Sequence, residues 1–399
     1  MSTKVAIRRS YFSKFFTIFI GLVVFSGNAL AEPLEIAFAG FAYSGSAASL
    51  DKRFPYSRRY ELSLKDSGAP LGATLLRSLT SSPSEHIRVV SRIDELKGKD
   101  RAISVALVIG SETIAVEKFG GIYKLMTLIR GQSMFFDFKS MNVVRSYPIS
   151  FAYVDTLDHE PSKWEIEDRV KLVYEGAKDK PGLLARFSAS VGKATVPNQV
   201  SRYVQVTSAR IAPEATQLLP SYIKDDPSAA ESWAADLVSE AISTRAGIPI
   251  VPFAKGYAIG NVMSFQVSDG TVWELKLPKP DYELSVELSN LKKVKFAELP
   301  GGGTSYIYAS YSQIRIEEPM TRKVYMNTAL KNGETRVIPA SQDYVDDAPH
   351  FYDSVNGMFV KLAQEIAGTG DGTWIKTAAS ASDISKQLAQ TSELIKQCK

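Results

Sequence analysis

The chain has 399 residues, with 47 Lys and Arg against 43 Asp and Glu, three histidines and one cysteine. At about 100–200 residues per domain it holds two or three domains, and 45% hydrophobic with 23% charged residues excludes wholesale disorder and fibrous classes. One cysteine excludes a disulfide scaffold and a zinc site of several thiolates, and three scattered histidines leave little for histidine-rich metal chemistry.

Residues 1–31 read as a secretory signal peptide. Lys4, Arg8, Arg9 and Lys14 form a basic start, 15–25 is an apolar run of 11 residues, and Ala29-Leu30-Ala31 predicts cleavage before Glu32. A membrane-spanning helix needs about 20 apolar residues, so an uncleaved anchor is the poorer reading. No cysteine follows the run to carry an acyl chain. Removing four basic residues takes the formal charge from +4 to zero, so no general attraction to nucleic acid or anionic lipid is expected. No later segment approaches transmembrane length. The mature chain is expected in an exported compartment, first the periplasm, with outer-membrane association as the variant.

Along the mature chain, Leu34, Ile36 and Phe38 alternate as in a strand over 34–41. A Gly/Ser-rich, basic loop is expected next, then a short helix around 71–79 and a strand at 86–93. Ile103, Val105, Leu107 and Ile109 alternate in another strand, and apolar runs follow at 123–129, 134–144 and 149–154. Residues 163–176 read as helix through Trp164, Ile166, Val170 and Val173. A strand pattern returns at 203–211. The next helix is well marked, with Asp226 as cap, Pro227 at its first position, and Trp233, Leu237 and Ala241 every four residues until Gly247 and Pro249. A short buried strand at 248–253 follows. In 281–288, Tyr282, Leu284, Val286 and Leu288 face one way and Glu283, Ser285 and Glu287 the other. Strands at 306–316 and 322–330 come next, and Asn332-Gly333 predicts a tight turn back into 335–338. Val355, Met358, Phe359, Leu362 and Ile366 then line a helix capped by Asp353 and stopped by Gly368.

Both halves run strand, helix, strand, several antiparallel strands, helix. The strands at 35–41 and 203–209 lie 168 residues apart, and the hairpin regions at 125–150 and 306–330 about 181. The pattern predicts an α+β chain of two similar domains, a duplication of pattern with very low identity, each with helices on one face of a mixed sheet. The expected bounds are 32–176 and 203–368, with a linker at 177–202. A tail at 369–399 carries a polar helix whose Ile384, Leu388 and Ile395 dock on the body or a partner, or stay loosely held.

This order behind an export signal resembles a group of bacterial envelope proteins. It includes the amino-terminal domain of the periplasmic Tol-system protein TolB, the α/β domain of the curli secretion channel, and accessory lipoproteins of exopolysaccharide export. The residues that carry the resemblance are LEIAFAGF (34–41), DYELSVEL (281–288) and the strand–turn–strand block 306–337. It covers 34–175 and 203–367 by pattern, without a fingerprint motif. The lipid-bearing cysteine of many members, the propeller repeats of TolB and the channel's long hairpins have no counterpart here, so anchoring and pore formation do not carry over, and no functional residue maps across. The resemblance implies a non-catalytic envelope component working through protein contacts.

Asp343, Asp346, Asp347, His350 and Asp353 fall within one short segment and are the chain's metal or acid–base candidates. Their spacing fits no EF-hand loop, so a solvated loop is the simpler reading. Lys52, Arg53, Arg58 and Arg59 interleave with Phe54, Tyr56 and Tyr60, which suits a polyanion or glycan patch but equally a solvated loop face. Lys292, Lys293 and Lys295 read as protection of a strand end. Gly301-Gly302-Gly303 lacks the Lys-Ser/Thr of a P-loop and reads as a strand connection. His86 and His159 have no nucleophile at telling spacing, and no G-x-S-x-G or H-E-x-x-H occurs. Cys398 suits an intermolecular disulfide or no role at all. Tyr306, Tyr308 and Tyr311 suit a core or an interface. No catalytic or cofactor-binding residue is assigned and no cofactor is expected. The leading expectation is an exported adaptor or structural protein that binds envelope proteins in assembly or secretion of a surface structure, of open oligomeric state. The alternatives are an exported hydrolase using the 343–353 carboxylates and a small-ligand binder with its site between the domains.

Overall fold

The computed structural model describes residues 33–45, 50–81, 84–196, 202–253, 258–259, 262–267, 270–300, 302–342 and 345–399. The expected signal peptide, 1–31, and Asp343 lie outside them. The first half runs β1 (Leu34–Ser44), α1 (Leu50–Arg53), α2 (Pro55–Asp66), α3 (Leu71–Ser81) and β2 (Ile87–Val90). Three long strands follow, β3 (Ile103–Phe119), β4 (Ile122–Asp137) and β5 (Asn142–Leu157), then α4 (Lys163–Glu175), the small hairpin β6 (Gly176–Ala177) and β7 (Lys180–Pro181), and α5 (Leu183–Lys193). β1 lies parallel to β2 and β3, and β3, β4 and β5 form an antiparallel meander. Alternation puts Ile36, Val105, Leu107 and Phe135 on one face, where Leu75, Val170 and Phe187 of the helices bury them.

The second half runs β8 (Val204–Ile211), α6 (Pro213–Thr216), α7 (Ser221–Lys224) and α8 (Pro227–Ala246). Asp226 accepts the Ser228 amide at 2.9 Å to start α8, and Gly247, at φ 67, ends it, as their residue types predict. Three short strands, β9 (Ala258–Ile259), β10 (Val262–Val267) and β11 (Val272–Lys276), precede the long β12 (Tyr282–Leu299), β13 (Gly303–Glu318) and β14 (Lys323–Pro339). α9 (Ala348–Ala367), α10 (Thr373–Ala378) and α11 (Ile384–Lys396) complete the chain. β8 lies parallel to β12, and β12, β13 and β14 form a meander whose inner face buries Leu284, Val286, Ile314 and Ile316 beneath α8 and α9. The fold is α+β with mixed sheets.

The two pairing schemes correspond in detail. Between β1 and β3 the register slips between Phe38 and Gly40, and between β8 and β12 it slips between Val206 and Ser208. The β3–β4 bulge sits at Gly110 and the β12–β13 bulge at Ser289. The β4–β5 bulge leaves Val144 extra, and the β13–β14 bulge leaves Tyr325 extra. Bulges change twist and re-aim side chains, and these three fall in the same order in both sheets, while a further β12–β13 bulge at Phe296 has no counterpart between β3 and β4. Even the β1–β2 pairing has a trace in the second half, a parallel bridge from Gln205 to Val251.

The sheets differ in what covers their outer faces. β10 pairs antiparallel with β1 and β11 meets β5 at Asn142, so β1, β3, β4, β5, β11 and β10 close a ring. Ala106, Val108, Met134 and Phe136 meet Phe265 and Leu275 inside it. The segment 258–276, second-half by position, therefore builds the first-half sheet. Residues 33–399 gather into one compact unit.

Several local expectations are corrected. The basic segment after β1 is helical, because Phe54 and Tyr60 are buried while Arg53 and Arg59 stack on Phe54 and Tyr56 at 4.8 and 5.1 Å. In the expected linker, Leu183, Phe187 and Val191 form a buried stripe on α5. Asn332-Gly333 makes no turn. β14 runs straight through it, since the Asn332 amide donates to the Ser354 carbonyl of α9 at 2.8 Å and a Cβ on Gly333 would stand 3.1 Å from Ile307 Cγ2. The chain does reverse at 319–322, between the strands expected at 306–316 and 322–330, and there Arg322 takes φ 58. Asp353 does not cap α9, which starts after Asp347; it lies inside the helix, 2.9 Å from Arg336. The tail docks on the body through Ile384, Leu394 and Ile395.

Candidate functional site

The outer face of the first sheet continues beyond the ring to a second zone, which the second half covers. Arg130 of β4 is 8% exposed and stands 3.2 Å from Asp236 of α8. Burial holds the Asp236 carboxyl above the usual range, with Arg130 pulling the other way. Ser150 of β5 donates to Glu240 at 2.6 Å, and the Tyr222 hydroxyl of α7 reaches Met126 Sδ at 3.2 Å. Lys124 lies between Glu117 and Asp346. Burial disfavours its charge, but hydrogen bonds to Asp346 and Glu117 outweigh that and hold the ammonium pKa above its ordinary value. Between β4 and α8 runs a crevice of about 70 Å³ beside Gln132 and Glu240. A wider hollow of about 410 Å³, which also borders Arg130 and Asp236, extends toward Lys52 and Glu112. The Ser232 hydroxyl is buried there without a hydrogen-bond partner among the described residues.

Matching bulges identify the equivalent positions of the second sheet. Where the first has Ala106, Val108, Met134 and Phe136 in the ring, the second has Ser285, Glu287, Arg315 and Glu317. No strand insertion covers them among the described residues, and polar side chains suit water. Further along, Val294, Ile307 and Tyr311 stand where the first sheet has Ala115, Met126 and Arg130. This zone stays open, with Val294 48% exposed, Val337 beside Ser305 57%, and Phe296 at the adjoining bulge 67%. Lys292 and Lys331 share the face. The outer face is thus polar near the core and apolar at its far end, although both parts meet solvent.

The residues singled out from the sequence do not converge. Asp346 accepts the Ala348 amide at 3.2 Å and pairs with Lys124; Asp347 accepts from Lys293 at 2.8 Å and from the Tyr308 hydroxyl. His350 packs on the Tyr308 ring, 4.8 Å between centroids, and burial lowers its pKa. Among the described residues no group of three His, Cys, Asp or Glu is placed to hold a metal ion. In the basic cluster Arg53 bonds the Ser44 and Gly110 carbonyls, and Arg58 pairs with Glu61 at 2.7 Å. His86 precedes β2, and His159 bonds Asp158 at 2.7 Å and Glu165 at 3.0 Å. Lys292 and Lys293 lie over tyrosine rings. Gly302 and Gly303 lead into β13, with Gly301 outside the described residues. Tyr308 is core, and Tyr306 and Tyr311 are half-buried. Cys398 is fully buried, which fits no exposed disulfide partner. Sequence reasoning missed Lys124, Arg130, Asp236, Val294, Phe296 and Val337. Val294 and Phe296 carried a signal, as apolar residues interrupting a basic run, whereas Val337 carried none.

No helix of the described residues is long and apolar enough to cross a membrane. No family model matches the chain, and no curated protein matches it. Among solved structures, a homolog of the neuraminyllactose-binding hemagglutinin from Helicobacter pylori is 12% identical, with a TM-score of 0.24 over 46% of this chain and 96% of that one. At that TM-score the likeness carries no argument.

Proposed function

We propose that this chain is an exported, non-catalytic component of a bacterial cell envelope, working as a structural or adaptor protein through protein–protein contacts. The observation that supports it is the apolar far end of the second sheet's outer face, Val294 and Val337, with Phe296 exposed at the adjoining bulge. Exposed strand faces invite non-specific association, and sequences normally blunt them with charge. This chain does so at Glu287, Arg315 and Glu317 but keeps aliphatic and aromatic residues farther out, which suits a face covered by a partner. The matching bulges further suggest that the halves descend from one duplicated unit. A photo-crosslinking residue placed in living cells at 296, and separately at 287, tests the reading. A reproducible protein adduct from 296 and none from 287 is expected, and the absence of any adduct from 296 overturns it. A second reading, a small polar ligand in the crevice, has the unpartnered Ser232 hydroxyl in its favour. Ser232→Val should then abolish protection of the crevice by that ligand in hydrogen exchange.

A further inference from the structure

We propose that the partner on this apolar face is a second copy of the chain, docked head to tail through the helix layer of its first half. The inference rests on the contact reading above and names the occupant. It follows from how the molecule covers the equivalent zone of its own first sheet. There the helix layer of the next half supplies the cover, with Tyr222 of α7 on Met126 and Asp346, just ahead of α9, on Lys124. Met126 corresponds to Ile307, and Lys124 to Ser305. The equivalent zone of the second sheet stays open, with Val294 and Val337 exposed. The first half of another copy would continue the series.

That half presents a suitable surface at the corresponding place. α2 follows β1 as α7 follows β8, and α4 follows β5 as α9 follows β14. Between α2 and the start of α4 lies a hollow of about 260 Å³ bordered by Tyr56, Tyr60 and Trp164. Trp164 is 70% exposed and Leu62 of α2 47%. An exposed tryptophan bordering a hollow, with an exposed leucine elsewhere on the same helix layer, is what such a layer shows when its cover is missing. Phe296 is the complementary projection, an aromatic ring at a bulge. Lys292 and Lys331 on the strand face would meet a rim of mixed charge, Glu167 and Asp168 with Arg59 and Lys171, in which Glu167 already pairs with Arg59 at 3.3 Å. Two strand faces packed on each other would instead oppose their lysines, which disfavours a symmetric pair. Because the contacting surfaces differ, each added copy leaves one of each free and assembly continues.

Sedimentation velocity of the purified protein, from low to high micromolar concentration, tests this. Species larger than a dimer should grow with concentration. Phe296→Glu and Trp164→Ala should each remain monomeric while melting as the wild type does. Their equimolar mixture should form a heterodimer and nothing larger, since one variant keeps the hollow and the other keeps the projection. A wild-type monomer at every concentration, a dimer that never grows, or a mixture that fails to pair overturns the proposal. If crosslinking at 296 in cells captures a different protein while the purified chain stays monomeric, this inference falls and the contact reading stands. If 296 captures nothing, both fall.

Discussion

Arg130 and Tyr311 hold one position in two sheets. Each pairs with the residue just past a bulge, Ser111 after Gly110 and Asn290 after Ser289. Arg130 is sealed beneath α8 with Asp236 at 3.2 Å, whereas Tyr311 faces outward with the Lys292 ammonium 5.6 Å from its ring centre. A shared backbone therefore carries an enclosed ion pair in one half and an open aromatic in the other. The chemistry at each position follows from what lies over it.

The Arg130–Asp236 pair should be sensitive to loss of one partner and tolerant of loss of both. Breaking a fully buried pair costs about 3–5 kcal/mol, because a charge remains without compensation. The Asp236 side chain is 34% exposed, so solvent screens part of this, and Asp236→Ala should cost about 2 kcal/mol. Arg130→Met combined with Asp236→Leu should recover most of the loss. Urea unfolding midpoints measure both. An unchanged midpoint for Asp236→Ala would mean that α8 does not close over Arg130.

His159 and His350 should titrate on opposite sides of the ordinary histidine value. Hydrogen bonds to Asp158 and then Glu165 raise the pKa of His159, while burial, followed by the charge of Arg336, lowers that of His350. The signs for stability differ. His159 contributes stability present in full below about pH 6.5 and lost as pH rises through its raised folded value. His350 contributes stability present above about pH 6.5 and lost as pH falls through its lowered value. Glu165, held at about 2 chiefly by the Ser162 hydroxyl, adds a contribution lost as pH falls through that value. Ring-proton NMR across the range resolves the histidines, and coincident titration would contradict both environments.

What was legible in the sequence was local. α8 could be read because Asp226, Pro227 and Gly247 punctuate it, and the inner rows of β3 and β12 could be read because they alternate. The far half of β12 loses that alternation in Lys292-Lys293-Val294-Lys295-Phe296, where all five residues are exposed and no buried row imposes it. β10 and β11 stayed hidden because their pairing with β1 and β5 is long-range. Asp346 was a candidate by its neighbours, but its partner Lys124 is 222 residues away, and no spacing rule reaches that far. The contrast between outer faces needed the register, which only the pairing reveals.

Asn332 shows how a strong local signal is overridden. Its side chain is 5% exposed, donates to the Ser354 carbonyl at 2.8 Å and accepts from Lys361 at 2.9 Å. Asn332→Ala strips both bonds, one of them to a charged ammonium, a loss of about 1–3 kcal/mol. Were the pair a hairpin turn, Asn332→Ala would cost far less. Thermal unfolding of this variant separates the two.

Cys398 should report on the docking of α11. Burial pushes its thiol up to about 12, and the sulfur lies 3.5 Å from the Leu394 carbonyl. Reaction needs the thiolate and access, so a thiol reagent should label the native protein far more slowly than the urea-unfolded one. Leu394→Ala, at about 2–5 kcal/mol for a buried leucine, should accelerate native labelling. Equal rates in native and unfolded protein would mean that α11 does not rest on the body.

Phe136 and Glu317 provide the sharpest comparison, because they hold the same position one residue past the same bulge. Phe136 is fully buried in the ring, 5.4 Å from the Trp273 ring centre, so Phe136→Ala removes a packed aromatic and should cost about 3–5 kcal/mol. Glu317 lies on the open part of the second sheet and pairs with Arg315 at 2.5 Å, where their side chains are 30% and 41% exposed. Solvent screens such a pair, so Glu317→Ala should cost under about 1 kcal/mol. The reciprocal changes extend the argument: Val108→Glu should unfold the first half, while Glu287→Val should be tolerated by the fold and promote association. If Glu317→Ala proved as costly as Phe136→Ala, something would have to cover the inner part of that face as well. The apolar far end would then no longer stand apart from its surroundings, and the case for a partner there would lose its physical basis.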